Sequence, residues 1–533
     1  MDYSNVIIKN GSFYTGEDFF YGSLAVENEK IKEMGSFEEL QNKYPTIDIV
    51  DLGGRTVLPG FIDSHIHLVQ TGFLKVNLDL TSVKSTKELK ELISEDVKNK
   101  EPGEWVIGSS FDDNKFEDNK LPDKNDLDEA APNNPVFIIR VCTHLMVVNS
   151  KALSLAGIDA KTKAPEGGKI DRDEKGQPSG ILRRNAGDLI YSIIYADTAM
   201  IKKAIKAAFE YLKENGITTA HSMAIGVKNY QHYSKITGAY REALEEENYP
   251  TRVKLGAESE ILNDLLASQI KFFDGDDYFK QGYIKFFSDG SYGSRTALLT
   301  EPYYDDPGNY GIEATPKNRL YELTKIAHDN GFQCAIHALG DKALSNILDV
   351  LEKLTENGNN PLRHRIVHAG LSPDHLIERI KRHNLSVDIQ PNFVASEVNW
   401  IENALGERVS DLYTWKTMHD QGIRLAASSD SPVEPVNPFY GIKAAVTRQN
   451  LENIPPGGFN PKERITLKEA FDMYTINGAY QYFEENLKGS IATGKLADLV
   501  VLSNNPFEIN YEELIDIKVE MTFVGGRLVF QSN

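Results

Sequence analysis

Residues 59–67 read Pro-Gly-Phe-Ile-Asp-Ser-His-Ile-His, and this stretch is the strongest local signal in the chain. Because residues two apart in a strand share a face, the imidazoles of His65 and His67 are expected to point the same way. Two neutral imidazoles that converge at the end of a strand form half of a site for a metal such as zinc. Taken alone, the pair is equally compatible with two histidines that make structural hydrogen bonds.

Short apolar runs continue along the chain after this stretch, and helix-length amphipathic segments separate them. Alternation of strand and helix, repeated eight times, is typical of a (β/α)8 barrel, so we predict an α/β fold built on a TIM barrel. The predicted strands are residues 56–67, 217–221, 252–257, 283–288, 332–337, 365–368, 385–389 and 423–429.

Both ends of the chain alternate short apolar runs with turn signals, which is typical of small β-strands. We therefore predict a split β domain, residues 1–57 plus 488–533, around a barrel domain at 58–487. About 150 residues separate His67 from the second predicted strand, and a structureless loop of that length is implausible. An inserted subdomain is predicted at 68–215. Since the loops after barrel strands form the catalytic face, we expect this insertion to cover the active site.

Composition restricts the class of partner. The chain has 58 Lys plus Arg against 78 Asp plus Glu, a net charge of −20, which argues against nucleic acid or an anionic membrane and favours a small-molecule substrate. Two cysteines exclude a disulfide framework and fit a reducing compartment. Without an apolar stretch of roughly 18 residues or a recognisable leader, the chain is predicted to be soluble and cytoplasmic.

Three more polar residues stand at the C-terminal ends of predicted barrel strands: His337, His368 and Asp430. Apolar strands do not need a histidine or carboxylate there for stability, and this face of a barrel is where catalytic groups collect. Each histidine alone is compatible with a structural hydrogen bond. The whole set, together with His65 and His67, predicts a metal centre.

Lys285 lies among aromatic residues in the fourth predicted strand. A lysine buried there is costly unless its charge is paired or removed. It could pair with a carboxylate or a substrate, or it could be carboxylated by carbon dioxide and bridge two metal ions. A third interpretation is an edge-strand lysine with a solvated ammonium group. The residues leave these interpretations open.

Segments in collinear order along nearly the whole chain resemble the amidohydrolase superfamily, and specifically its YtcJ-like branch. The resemblance implies a metal-dependent hydrolase on a distorted TIM barrel, with a small β-sandwich formed by the N- and C-terminal segments and a large insertion after the first barrel strand. A homodimer is suggested as well. The segments that carry the resemblance are 59–67, 135–150, 284–297, 335–341, 366–369, 429–432 and 489–499.

By position, the resemblance also implies the ligands of a divalent metal site, with zinc favoured and either one or two ions per chain. Lys285 matches the residue that would be an N6-carboxylysine. His221 departs from the pattern, because similar proteins often have an acidic residue at or next to its position. The implied metal-site residues are His65, His67, Lys285, His337, His368 and Asp430.

The predicted reaction is hydrolysis of a non-peptide carbon–nitrogen bond in a small molecule, by attack of metal-bound hydroxide with Asp430 as the catalytic base. Alternatives are a deaminase or lactonase that uses the same metal site, or a non-catalytic binding or regulatory relative. Four residues are candidates for substrate binding: His144 in the insertion, Asp289, Arg295 and Gln390. The alternatives are a structural role for His144, a turn cap or the orientation of a ligand for Asp289, and an ion pair with a loop acid for Arg295.

Overall fold

A computed structural model describes residues 5–118, 120–140, 145–165, 168–194, 197–224, 227 and 229–532. Eight parallel strands form a nearly closed barrel, which confirms the predicted TIM-like fold. Each strand pairs in parallel with the next along the chain. In order, β1–β8 are Phe61–Ile66, Ile217–Ala224, Arg252–Glu258, Phe279–Phe287, Cys334–Ala338, Arg365–His368, Ser386–Ile389 and Leu425–Ala427.

Hydrogen bonds just beyond β8 join the two edges of this sheet, which are β1 and β8. The Asp430 amide donates to the His65 carbonyl at 2.9 Å, and the His67 amide donates to the Ser431 carbonyl at 2.8 Å. The C-terminal ends of β1 and β8 are therefore held side by side.

The first predicted strand, 56–67, is two strands in the structure. Thr56–Pro59 pairs antiparallel with Leu499–Leu502 in the terminal sheet, and only Phe61–Ile66 belongs to the barrel. Gly60 separates them, and a Cβ at this position would clash with the Thr218 side chain. The chain thus passes from one sheet to the other at a residue where only glycine fits.

Helices follow the barrel strands, and Asp374–Arg382 shows why they form. Leu376, Ile377 and Ile380 are buried at helical spacing, whereas the basic side chains cluster in the last turn, where they favour the helix dipole. No helix in the described part of the chain is long and apolar enough to cross a bilayer. After β2 the α-helices are Tyr230–Glu246, Leu262–Ala267, Lys317–Asp329, Asp341–Leu351, Asp374–Arg382, Asn392–Glu397, Ile401–Leu405, Trp415–Asp420, Pro438–Thr447, Leu467–Met473 and Ile476–Gln481.

Strands from both ends of the chain form one mixed sheet around a shared apolar core, as the sequence predicted. Arg252, fully buried in β3, ties this sheet to the barrel. Its guanidinium donates to both carboxylate oxygens of Asp498, at 2.9 and 3.1 Å. The strands are Asn5–Tyr14, Phe19–Glu27, Lys30–Gly35, Asp48–Asp51, Thr56–Pro59, Leu499–Leu502, Val519–Val524 and Arg527–Gln531, and the one α-helix described among them is Phe37–Lys43.

Residues Gly72–Ala207, between β1 and β2 in the chain, form a second compact unit with its own sheet and apolar core. Across this sheet the strands are Lys169–Arg172, Pro178–Arg183, Leu145–Val148, Val136–Arg140, Val106–Phe111 and Leu78–Asp79. The α-helices in this part of the chain are Leu68–Val76, Thr86–Val97, Lys124–Ala130, Ser150–Leu155, Asp188–Ile194 and Thr198–Glu214.

Candidate metal centre

The adjoining ends of β1 and β8 bring three candidate ligands together. Nε2 of His67 lies 3.0 Å from Oδ1 of Asp430, and Nε2 of His65 lies 3.4 Å from the same oxygen. One donor atom from each residue lies within 4.8 Å of the other two, which makes this group able to hold a metal ion. The two histidines are neighbours because alternate residues of an extended chain share a face.

Asp430 is held in an unusual backbone conformation. Its φ is +55°, in the left-handed region that non-glycine residues seldom adopt. Its Oδ1 is buried and accepts no hydrogen bond from any described residue, although two imidazole nitrogens lie close to it. An orphaned carboxylate oxygen facing two ring nitrogens is a donor set that fits a divalent cation such as zinc.

Lys285 on β4 is only 1% exposed, and its Nζ lies 3.1 Å from Nε2 of His65. Burial lowers the pKa of Lys285 to about 7, because an ammonium loses its hydration there. The neutral amine is the form that reacts with carbon dioxide. The structure therefore places the lysine beside the candidate ligand His65, in surroundings that favour its uncharged form.

His337 and His368, at the ends of β5 and β6, form a second pair with ring centroids 4.5 Å apart. Nε2 of His337 faces the Gly290 carbonyl at 3.0 Å, and Nδ1 of His368 faces Oε1 of Gln390 at 2.6 Å. Each imidazole therefore has one nitrogen engaged by the protein. The ring of His368 lies 6.2 Å from that of His65, so the two groups of donors are adjacent.

The structure gives Asp289 a set of protein partners. Its carboxylate accepts the amides of Leu298, Leu339 and Gly340 at 2.8–3.1 Å, and Oδ1 lies 3.3 Å from Nε2 of His337. The sequence made it a candidate for substrate binding or for orienting a ligand, with a turn cap as the alternative. In the structure it fixes the loops after β4 and β5 next to His337.

Arg295, a second candidate for substrate binding, is paired with a loop acid, which is the alternative that the sequence offered. Its Nε lies 3.0 Å and its Nη2 2.5 Å from the two oxygens of Asp305. Gln390, a third, is 2% exposed and contacts His368. His144, the fourth, lies outside the described residues.

Two buried polar residues next to the candidate ligands, Tyr283 and Asp63, were missed in the sequence. The hydroxyl of Tyr283 lies 3.2 Å from Nδ1 of His65, and Asp63 accepts the His65 amide at 3.2 Å. Both could have been found by parity, because each stands two residues before a candidate ligand on the same strand. His221 is fully buried on β2 with its ring 4.3 Å from that of Tyr482.

Comparison with known proteins agrees with this geometry. The sequence pattern of the amidohydrolase family matches residues 48–530. The chain belongs to the amidohydrolase family. This amidohydrolase is 35% identical over 516 residues to YtcJ of Bacillus subtilis, which carries the name amidohydrolase, and the match covers 96% of each chain. The predicted family and its YtcJ-like branch are thereby confirmed.

Two further relatives span nearly the whole chain. The N-substituted formamide deformylase of Arthrobacter pascens is 29% identical over 522 residues, 96% of this chain and 95% of its own. The crystal structure of an uncharacterized metal-dependent hydrolase from Pyrococcus horikoshii superposes with a TM-score of 0.81 at 29% identity, covering 95% of this chain and 99% of that one. The amidohydrolase is thus similar in sequence and fold, over 95% of its length, to a protein described as a metal-dependent hydrolase.

Proposed function

We propose that this amidohydrolase is a metal-dependent enzyme that hydrolyses a carbon–nitrogen bond in a small-molecule amide. The observation that carries the proposal is the convergence of His65, His67 and Asp430 where the ends of β1 and β8 meet. There a carboxylate oxygen without a hydrogen bond from any described residue faces two imidazoles. The formamide deformylase from Arthrobacter pascens supports the choice of bond, because its name describes removal of a formyl group from nitrogen.

The donors divide into two adjacent groups. His65, His67 and Asp430 would hold one ion, and His337 and His368 would hold a second. Lys285 lies next to His65 and would be a ligand once carboxylated. Nitrogen and carboxylate donors of this kind suit zinc. A divalent ion held there lowers the pKa of water and polarises a carbonyl oxygen.

Asp430 would act as the base. In this step the water oxygen bonds to the amide carbon and the carboxylate takes a proton from that water. When the carbon–nitrogen bond breaks, the carboxylate returns the proton to the leaving nitrogen, so that the products are a carboxylic acid and an amine. The Asp430 amide, bound to the His65 carbonyl, keeps the carboxylate next to both histidines.

Metal content and hydrolysis of N-formyl and N-acyl amines test the proposal together, on protein purified without chelator. We expect about two equivalents of divalent metal per chain. Asp430→Asn is expected to bind metal more weakly and, at a metal concentration that saturates its site, to lower kcat by about 10²–10⁴. Wild-type turnover by metal-loaded Asp430→Asn would overturn the role of this residue. If the enzyme hydrolysed only lactones or deaminated only amino-heterocycles, the proposal that it cleaves the carbon–nitrogen bond of an amide would be wrong.

A further inference from the structure

Gln390, the first residue after β7, is buried and its side chain has three hydrogen-bond partners. Its Oε1 lies 2.6 Å from Nδ1 of His368. Its amide nitrogen donates to the hydroxyl oxygen of Ser428 at 2.8 Å and to the carbonyl of Asp388 at 3.2 Å. The side chain is 2% exposed and has its polar atoms committed to the protein.

These partners allow only one orientation of the Gln390 amide. The Asp388 carbonyl can accept a hydrogen bond but cannot donate one, so the NH₂ group must face it. Ser428 donates its own hydroxyl hydrogen to the Ile389 carbonyl at 3.1 Å, which leaves its oxygen to accept from the same NH₂ group. The amide oxygen is thereby directed at His368.

The orientation of Gln390 decides which nitrogen of His368 carries the proton. An amide oxygen has no hydrogen, so a bond of 2.6 Å requires Nδ1 of His368 to be the donor. In a neutral imidazole the other nitrogen, Nε2, then has a free lone pair. The His368 ring is also packed against Phe393, at 5.7 Å and 16° between ring planes, which restricts its rotation.

We propose that Gln390 is a positioning residue that sets the tautomer of His368 and so makes Nε2 its metal-binding nitrogen. The inference rests on the proposed metal centre and deepens it, because it explains how one ligand is prepared before any ion arrives. Partners that orient a ligating histidine typically contribute 10–100-fold in metal affinity. Gln390 therefore acts through His368, whereas the sequence had predicted direct contact with substrate.

Two substitutions separate the hydrogen bond from the packing. Gln390→Leu removes the acceptor at similar volume, whereas Gln390→Glu keeps an oxygen opposite Nδ1. In a chelator competition with Co²⁺ on the full chain, Gln390→Leu is expected to bind metal about 10–100-fold more weakly than wild type. Gln390→Glu is expected to keep most of the metal affinity that Gln390→Leu loses. Gln281→Leu is the matched control, because Gln281 is buried on β4 and bonds Tyr233 away from the candidate ligands.

The ring nitrogens of His368 give a readout that packing alone would not move. With ¹⁵N-labelled histidine in metal-free protein, and with His368→Gln to assign the signals, wild type and Gln390→Glu should show only the Nδ1–H tautomer. Gln390→Leu should show a mixture of both tautomers. An unchanged tautomer and unchanged Co²⁺ affinity in Gln390→Leu, with a raised KM, would overturn the proposal and make Gln390 a substrate contact.

These measurements also distinguish failure of the proposed metal centre from failure of the inference on Gln390. If wild-type protein bound no Co²⁺ but kept the single Nδ1–H tautomer, and Gln390→Leu lost it, the proposed function would fail while the effect of Gln390 on the tautomer would stand. The assignment of Nε2 as a metal ligand would then be overturned. A mixed tautomer in wild type would overturn the inference whether or not metal binds.

Discussion

Ser429 donates its hydroxyl hydrogen to Oδ2 of Asp63 at 2.5 Å, and this contact joins the chain after β8 to the middle of β1. Asp63 also accepts the amides of Ser429 and His65, each at 3.2 Å. One buried carboxylate therefore organises the backbone immediately before Asp430 and at His65. The geometry of the candidate metal centre depends on a residue that is not among its ligands.

Ser429→Ala removes this hydrogen bond and leaves a buried carboxylate oxygen without its closest donor. We expect a loss of about 1–3 kcal/mol in the free energy of unfolding, measured in urea, and weaker Co²⁺ binding because Asp430 is the next residue. Ser234→Ala, at an exposed position of the helix Tyr230–Glu246, should change neither quantity. Wild-type metal affinity in Ser429→Ala would show that the hydrogen bond between Ser429 and Asp63 does not position Asp430.

Replacement of Lys285 tests whether its amine is carboxylated. If a carboxylated Lys285 is a shared ligand, Lys285→Ala should bind about one ion fewer than wild type. Metal uptake by the metal-free wild type should then be faster with added bicarbonate, and uptake by Lys285→Ala should not respond. Lys280→Ala, on the same strand but partly exposed, is the control. Equal metal content in wild type and Lys285→Ala would contradict the prediction.

Glu397 gives a prediction on pH. Burial raises the pKa of Glu397 to about 7, and the nearby Glu434 adds to this effect. A raised pKa means that the folded state holds the proton more tightly than the unfolded chain does. The contribution of the protonated Glu397 carboxyl group to the free energy of unfolding is therefore fully present when the pH is below the ordinary pKa of 4.5, and it is lost as the pH rises through 7.

Glu397→Gln cannot ionise and keeps an acceptor for the Tyr413 hydroxyl, which lies 2.6 Å from Glu397 Oε2. Relative to wild type, this variant should be more stable at pH 8 by roughly 3 kcal/mol, and the difference should vanish near pH 4.5. Urea unfolding at both pH values measures it. Glu402→Gln, on an exposed position of Ile401–Leu405, should show no such dependence on pH. An identical difference at both pH values would contradict the assignment to Glu397.

The pairing of Arg295 with Asp305 can be distinguished from a substrate clamp. Because the guanidinium already bonds both carboxylate oxygens, Arg295→Ala and Asp305→Ala should have similar effects on stability, and the double variant should be little worse than either. The pair is partly exposed, so we expect the coupling free energy to be below about 1 kcal/mol. A rise in KM for carboxylate-bearing substrates in Arg295→Ala, absent in Asp305→Ala, would favour the clamp.

The positions of the candidate ligands could be predicted because parallel strands end at the same edge of a barrel. His337 and His368 lie at the ends of β5 and β6 and Asp430 lies just after β8 for that reason, and His65 and His67 are neighbours because they stand two residues apart. Their role as metal ligands stays a prediction. The division of 56–67 at Gly60 was not predicted. Pro59-Gly60 marks a turn, but the apolar residues on either side of it do not indicate with which sheet each half pairs.

Side-chain contacts that involve loop residues could not be predicted from the sequence for a related reason. Gln390 follows one predicted strand and His368 ends another, but strand order alone does not indicate which side chain the amide oxygen of Gln390 contacts. The choice of Asp305 as the partner of Arg295 likewise depends on the path of a loop. A cover of the active site by the insertion, a homodimer, the absence of nucleic-acid and membrane partners, and a cytoplasmic location stay predictions.

In the terminal sheet, Thr56–Pro59 lies between Asn5–Tyr14 and Leu499–Leu502. About 440 residues separate Thr56–Pro59 from Leu499–Leu502 in the chain, and a ribosome adds roughly 5–20 residues per second. During synthesis, the edge of Thr56–Pro59 that pairs with Leu499–Leu502 therefore stays unpaired for about 20–90 s. For most of its own synthesis, the nascent chain carries an unpaired apolar strand edge that other polypeptides can reach.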